Sequence, residues 1–277
     1  MSADHDAAFL HAMSDAGVAM LKPDLIGDGA LHRYRVDGDK AGSLNGWYVL
    51  HLDSQPFGAF GSWKSGHSCT WTAHRPEAMS PAERAALAAR RAEAKRARDA
   101  ELITVQGEAA RRAARLWRKS RPTTNAHPYL VKKRVQAYGI RVLGPSLVIP
   151  LRDVAGELHS LQFIGPDGRK TFLTGGRKRG CYYAIGRPAG DLCVCEGYAT
   201  AASIYEATGY ATASAFDAGN LEPVARALRS KFPRLRLILC ADNDTETAGN
   251  PGLRYAEAAA RAVSGFLAFP SFVGVSP

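Results

Sequence analysis

The sequence predicts an α/β protein: a parallel sheet flanked by helices toward the carboxyl end, preceded by a small β meander subdomain and an amino-terminal α+β domain. Three observations predict it. From residue 191 onward, short apolar strand-like runs alternate with helix-like runs, which implies a parallel sheet with helices on its faces. Before that, over 140–186, β-patterned runs follow one another through tight Gly- and Asp-containing turns. A basic stretch separates those runs from an aromatic, β-branched region over 31–72.

The elements follow in order. Residues 5–20 carry Phe9, Leu10, Met13, Val18 and Met20 at helical spacing and predict a short helix. LHRYRV, GWYVLHL and PFGAFGSW predict an antiparallel sheet within 30–72. Ser80-Pro81-Ala82-Glu83 supplies an N-cap serine, a proline at the first helical position and an acid in the first turn. The run after it is rich in Ala, Arg, Glu and Lys and predicts a long exposed helix joining two units. SLVIPLRD, ELHSLQFIG, KTFLTG and CYYAIG predict the meander. Then come the strand DLCVCEG, a helix closed by Gly209, the strand ATASAF, the helix LEPVARALRSKF, the buried strand LRLILCADND and a helix capped by Gly265. This gives a domain at 1–78, a basic helical linker at 79–122, a β-rich subdomain at 123–189 and the parallel-sheet domain at 190–277.

With 277 residues the chain is long enough for a real core, and at 46% apolar and 22% charged it reads as an ordinary soluble protein. No apolar run approaches the ~20 residues that a membrane-spanning helix needs. The amino terminus is acidic and does not read as a secretory signal. Five cysteines without a C-x-x-C pair suggest reduced thiols and a cytoplasmic setting. His67, Cys69 and His74 could offer three zinc ligands, but no fourth stands nearby and a turn is the better reading.

The charge is unevenly placed. The net charge is +10, and residues 81–134 hold 15 Lys and Arg against 5 Asp and Glu, which leaves 21 of each sign elsewhere. Charge runs are commonly solvated faces. A one-signed excess confined to a fifth of the chain favours a polyanion, most often nucleic acid.

The chemistry is sought where strands end, because ligands of open α/β sheets sit outside the carboxyl ends of the strands. One strand ends in Cys195-Glu196-Gly197 and another in Asp242-Asn243-Asp244. No Lys or Arg lies within 188–200 or 238–251. Carboxylates gathered without cations suit a hard divalent metal, and Mg2+ takes one or two of them with substrate phosphates completing its shell. Such a set suits phosphoryl transfer. The plainer alternative is a strand-to-loop turn that caps a helix. The pairing of acids on two buried strands, with a β-α unit between, favours the metal.

DLCVCEGYATAASIYEATGY, SAFDAGNL and LRLILCADND together resemble the TOPRIM domain of bacterial primases, topoisomerases and some nucleases. That domain places one Glu after a first strand and Asp-x-Asp after a later one, matching Glu196, Asp242 and Asp244. Ala199 and Thr200 stand where many of its members carry a second acid. The preceding stretch from HPYLVKKRV to CYYAIG resembles the primases of conjugative plasmids and satellite phages, of the TraC and alpha types. The resemblance implies a TOPRIM-like sheet and a DNA primase that makes short RNA primers on single-stranded DNA from NTPs. It implies Mg2+, with Mn2+ as a substitute, a replicative helicase as partner, and no membrane. Glu196 becomes a metal ligand or general acid/base, and Asp242 and Asp244 become metal ligands.

A primase also needs cations for phosphates and template. Arg169, Lys170, Arg177, Lys178 and Arg179 on two turns of the meander are the first candidates, and Lys132, Lys133 and Arg134 come second. Tyr182 and Tyr183 could stack a base, although one of two adjacent strand residues normally faces the core. Asp217 and Asn220 end the middle strand, where Asn220 reads as the N-cap of the next helix. The alternatives are a TOPRIM nuclease with the same acids and a non-catalytic nucleic-acid-binding replication module. A topoisomerase is disfavoured, since the chain is short for a strand-passage gate.

Overall fold

The computed structural model describes residues 2–39, 41–52, 56–62, 68–73, 80–242 and 250–270. The chain divides into two compact units, Met1–Ala100 and Glu101–Pro277. The four segments drawn from sequence are finer than this division.

In the first unit, helix α1 (Ser2–Asp15) accompanies an antiparallel sheet of β1 (His32–Tyr34), β2 (Gly46–His51), β3 (Phe57–Ser62) and β4 (Ser68–Thr72), in that spatial order. Burial alternates along β2, so Tyr48 and Leu50 face inward, as a half-solvated antiparallel strand requires. Phe9 of α1 meets the rings of Phe60 and Trp71 edge-on at 5.4 and 5.3 Å. Gly58 admits it: a β-carbon there would stand 2.7 Å from the Phe9 ring. The helix stops earlier than the 5–20 pattern predicts, because Gly17 takes a left-handed φ of 70°. Cys69 lies on β4, not in a turn, while His67 and His74 fall outside the described residues.

Helix α2 (Pro81–Lys119) begins at the predicted proline. Its carboxyl-terminal part belongs to the second unit and is not simply exposed. Ala109 and Ala113 are buried, and Ala113 packs against Val148 and Leu161. The small side chains let the helix lie close to the sheet below.

That sheet is an antiparallel meander of β5 (Arg121–Pro122), β6 (Arg141–Leu143), β7 (Ser146–Arg152), β8 (Leu158–Ile164) and β9 (Lys170–Phe172), with α3 (Pro128–Lys133) between the first two. Tyr183–Ile185, expected as its last strand, is β10 and belongs elsewhere: it pairs antiparallel with Ala211–Ser214 in the next sheet. Local alternation predicts a strand but not its partner: among the described residues the meander's backbone meets this segment at the bridge between Arg152 and Tyr182, while Ile185 packs with Leu147, Ile149 and Leu151.

The second sheet has the order β10-β12-β11-β13-β14, from β11 (Asp191–Cys195), β12 (Ala211–Ser214), β13 (Arg236–Cys240) and β14 (Phe266–Ala268). All neighbours but β10 run parallel. Helices α4 (Tyr198–Thr208), α5 (Leu221–Lys231) and α6 (Pro251–Ala262) cover it. Leu192, Val194, Leu237 and Leu239 share a core with α5 and α6. Cys195 packs on the other face with Tyr198, Ala201 and Ala202 of α4, in a core that continues into Leu147, Ile149 and Leu151 of the meander. Gly209 closes α4 in the left-handed conformation, as predicted. For α6 the left-handed residue is Ser264, φ 48°, and not Gly265. Gly265 serves close approach instead, since a β-carbon there would stand 3.0 Å from the Leu237 carbonyl oxygen. No described helix is long and apolar enough to cross a membrane.

Candidate active site

The chain leaves β11 through α4 on one face of the sheet and leaves β13 through α6 on the other. Adjacent strands whose connections depart to opposite faces open a crevice at their carboxyl ends, the usual ligand site of such sheets. Cys195 and Cys240 are register partners, so Glu196 on one strand and Ala241-Asp242 on the other emerge side by side. The first turn of α6 comes down on both. A β-carbon on Gly252 would stand 2.7 Å from the Asp242 carbonyl oxygen and 3.3 Å from Glu196 Oε1. Asp244 lies outside the described residues.

The main chain at Glu196 is fixed from β12. Its carbonyl oxygen accepts from the Ser214 hydroxyl at 3.0 Å and the Phe216 N–H at 2.6 Å. Phe216 has φ 74°, a left-handed conformation that costs a large non-glycine residue of order 1–3 kcal/mol. Below the crevice, the Cys193 and Cys240 thiols share a hydrogen bond that makes Cys193 more acidic and Cys240 less acidic than an ordinary thiol. Burial pushes the Cys195 thiol up. All five cysteines are free, and Cys193 and Cys195 are buried as expected of packing residues.

Cations reach this edge from the meander, although none is near in sequence. A β-carbon on Gly197 would stand 3.7 Å from Lys170 Nζ, so β9 delivers an ammonium beside the turn after Glu196. Lys178 forms an ion pair with Asp217, and its Nζ lies 5.1 Å from the centre of the Phe172 ring. Phe172 meets Phe216 edge-on at 6.1 Å. Arg177 behaves differently from its neighbour. Its guanidinium bonds Asp153 Oδ2 at 3.0 Å, and His159 bonds the same oxygen at 2.7 Å. Partial burial alone would raise the Asp153 carboxyl, but its bonds from His159 and the Glu157 N–H bring it below the ordinary value. Arg177 is therefore committed to holding its loop. Arg169 and Arg179 are exposed, as are Lys132, Lys133 and Arg134 at the end of α3.

The aromatic candidates turn inward. Tyr183 donates to the Tyr138 carbonyl, and burial pushes its hydroxyl up to about 12. Tyr182 packs against the core of the second sheet. Asp217, and not Asn220, supplies the side-chain cap here. The Asp217 carboxylate accepts the Asn220 N–H at 3.0 Å and caps a short 3-10 turn, Ala218–Asn220. Asn220 makes no side-chain cap for α5, because its side chain points into the protein. Sequence reasoning missed that inward turn, the Asp153–His159–Arg177 cluster and the close approach at Gly252. Only Gly252, directly after a helix-starting proline, left a signal.

Among the described residues, no group of three or more His, Cys, Asp and Glu is placed to hold a metal ion. The residues that are described do fit a hard cation. Glu196 and Asp242 bring oxygen donors together, and the space beside them would be narrowed by any side chain at 252.

Residues 190–267 match the Toprim domain family. The chain is 40% identical over 257 residues to DNA primase TraC of Escherichia coli, covering 88% of this chain and 18% of that one. A second Escherichia coli DNA primase TraC is 40% identical over 258 residues, covering 88% of this chain and 24% of its own. The chain thus spans less than a quarter of the length of these relatives. The crystal structure of the primase fragment of the bacteriophage T7 primase-helicase protein aligns over 56% of this chain and 67% of that one, at 15% identity and a TM-score of 0.42. Residues 190–267 of this chain match the Toprim domain family, in a sequence that is similar to DNA primase TraC over 88% of this chain.

Proposed function

We propose that this chain carries the nucleotidyl-transfer site of a DNA primase, which joins ribonucleotides into short primers on single-stranded DNA. The observation that carries this reading is the juxtaposition of Glu196 and Asp242 at the ends of adjacent parallel strands, with the main chain of α6 closing on both at Gly252. The likeness to DNA primase TraC supports it.

In this reading Asp242 and Asp244 hold Mg2+, and Glu196 is either a further ligand or the general base. When bound, the ion supplies Lewis-acid charge to the triphosphate and to the attacking hydroxyl. The chain's own part is to bind, orient and exclude. Lys170 and Lys178 present ammonium groups to the triphosphate, each as a point charge. Asp217 holds Lys178 in place until phosphate competes for it. The 3′-oxygen of one nucleotide then attacks the α-phosphorus of the next in line, and pyrophosphate leaves. Glu196 Oε1 is placed to take the hydroxyl proton if it is not itself a metal ligand. Arg169, Arg179, Lys132, Lys133 and Arg134, all exposed, serve the template backbone.

The test is a gel assay with labelled ribonucleotides, single-stranded DNA and Mg2+, run beside Glu196→Gln and Asp242→Asn. Short labelled products are expected from the wild type and from neither variant, while both variants retain nearly full DNA affinity. Cleavage of the DNA without products would make the chain a nuclease. DNA binding with neither activity would make it an accessory module.

A further inference from the structure

Asn220 is 3% exposed, and its whole hydrogen-bonding capacity is spent on main chain. Its Oδ1 accepts the Gly180 N–H at 2.8 Å. Its Nδ2 donates to the carbonyls of Lys178 at 3.1 Å, Cys181 at 3.0 Å and Ala215 at 2.8 Å. Three of these partners belong to the loop that carries Lys178, and the fourth is the residue that follows β12. That residue's N–H donates to the Cys195 carbonyl at 2.8 Å, and the next N–H, of Phe216, to that of Glu196. One amide therefore ties the Lys178 loop to the strand end that fixes the Glu196 main chain.

The loop's other anchors lie to either side of this point, at Arg177 and at the buried Cys181. Gly180 turns it with φ 72° and has open space around its α-carbon. Within the loop, Arg177 is anchored sideways to Asp153 and the Cys181 N–H bonds the Lys178 carbonyl at 2.9 Å. Lys178 itself is half-exposed, with its Nζ between Asp217 and the Phe172 ring. A lysine side chain is long and flexible, so its direction depends on where its main chain is pinned.

We propose that Asn220 is a positioning residue of the active site: it sets the Lys178 loop so that the Lys178 ammonium meets the triphosphate of the incoming nucleotide. This rests on the primase reading above. An amide is the side chain the place requires. Aspartate would turn the donor toward three carbonyl oxygens into another acceptor, and serine is too short to span the loop and β12 together. Because Lys178 meets the triphosphate in the bound and the reacting states alike, losing its placement weakens binding more than turnover.

A double-mutant cycle on the full chain tests this, with primer synthesis followed against ribonucleotide concentration for the wild type, Asn220→Ser, Lys178→Ala and the pair. Asn220→Ser is expected to raise KM about tenfold with kcat changed less than about twofold. In the Lys178→Ala background the same substitution is expected to change KM by less than about twofold, since neighbours that act through one another do not add. An equal KM factor in both backgrounds, or a loss confined to kcat, would overturn the assignment while leaving the primase reading intact. Should Asn220→Ser not fold, Asn220→Gln, which keeps the amide donor and acceptor but moves them by one methylene, carries the same cycle with the same two outcomes. A wild-type chain that makes no primers removes the primase reading and this proposal together.

Discussion

Gly252 lies against Glu196: a β-carbon at 252 would stand 3.3 Å from Glu196 Oε1 and 2.7 Å from the Asp242 carbonyl oxygen. The first turn of α6 is thus the lid on one side of the acidic crevice, and it can sit so low only because position 252 has no side chain. Its main chain is held there by Asn250, whose side chain accepts the Leu253 N–H at 3.5 Å and caps the helix.

Gly252→Ala is expected to lift that turn away from Asp242. The nearest obstacle is backbone, which cannot swing aside, and overpacking of this kind destabilises by roughly 1–3 kcal/mol. Primer synthesis should fall by about tenfold or more, and the Mg2+ concentration for half-maximal activity should rise. A Mg2+ titration of the variant checks this, and an unchanged half-saturation point would show that Gly252 does not border the metal.

Acid should loosen the meander through Asp153. Its carboxyl sits below the ordinary 3.8 in the folded chain, so it contributes stability that is present above the unfolded value and lost as pH falls through the folded one. The urea midpoint of the wild type should drop between about pH 5 and pH 2 more steeply than that of Asp153→Asn. Parallel curves for the two proteins would show that the His159 and Arg177 contacts carry no net stability.

Salt dependence tests the basic helix. Lys95 and Arg96 are exposed on α2. If this helix contacts phosphates, replacing both with alanine should weaken single-stranded DNA binding and flatten the plot of log affinity against log salt by about 0.7 for each lost contact. Anisotropy at several salt concentrations gives the slope, and an identical slope would make the helix a solvated face.

The parallel sheet was legible because its strands are buried on both faces and read as unbroken apolar runs, such as Leu237-Ile238-Leu239. Glu196 and Asp242 were legible because a strand's end is visible in sequence and its neighbour follows from the β-α-β order. The cations beside them were less so. Lys170 and Lys178 were marked as candidates, but nothing in the sequence says that β9 brings one of them to Gly197 and the other to Asp217. Arg177 and Lys178 look alike in sequence, and only three-dimensional partners separate an arginine bound to Asp153 from a lysine paired with Asp217. Asn220 shows the same limit. Its position before Leu221 announces a cap, whereas three of its side chain's four partners lie 39 to 42 residues away, out of reach of local pattern. The fate of Tyr183 was hidden likewise, because pairing between β10 and β12 spans two intervening elements.

That pairing bears on how the chain can be cut. The Toprim match begins at 190, yet β10 at 183–185 supplies an outer strand of the same sheet. A fragment started at 190 would leave β12 as a bare edge of unpaired amides and carbonyls, next to a helix whose Tyr198, Ala201 and Ala202 had lost the meander side chains they pack on. Exposed edges of this sort recruit other chains. The matched segment is therefore not the separable one: expressed by itself it should aggregate, whereas a fragment begun ahead of α2's buried Ala109 should stay monodisperse.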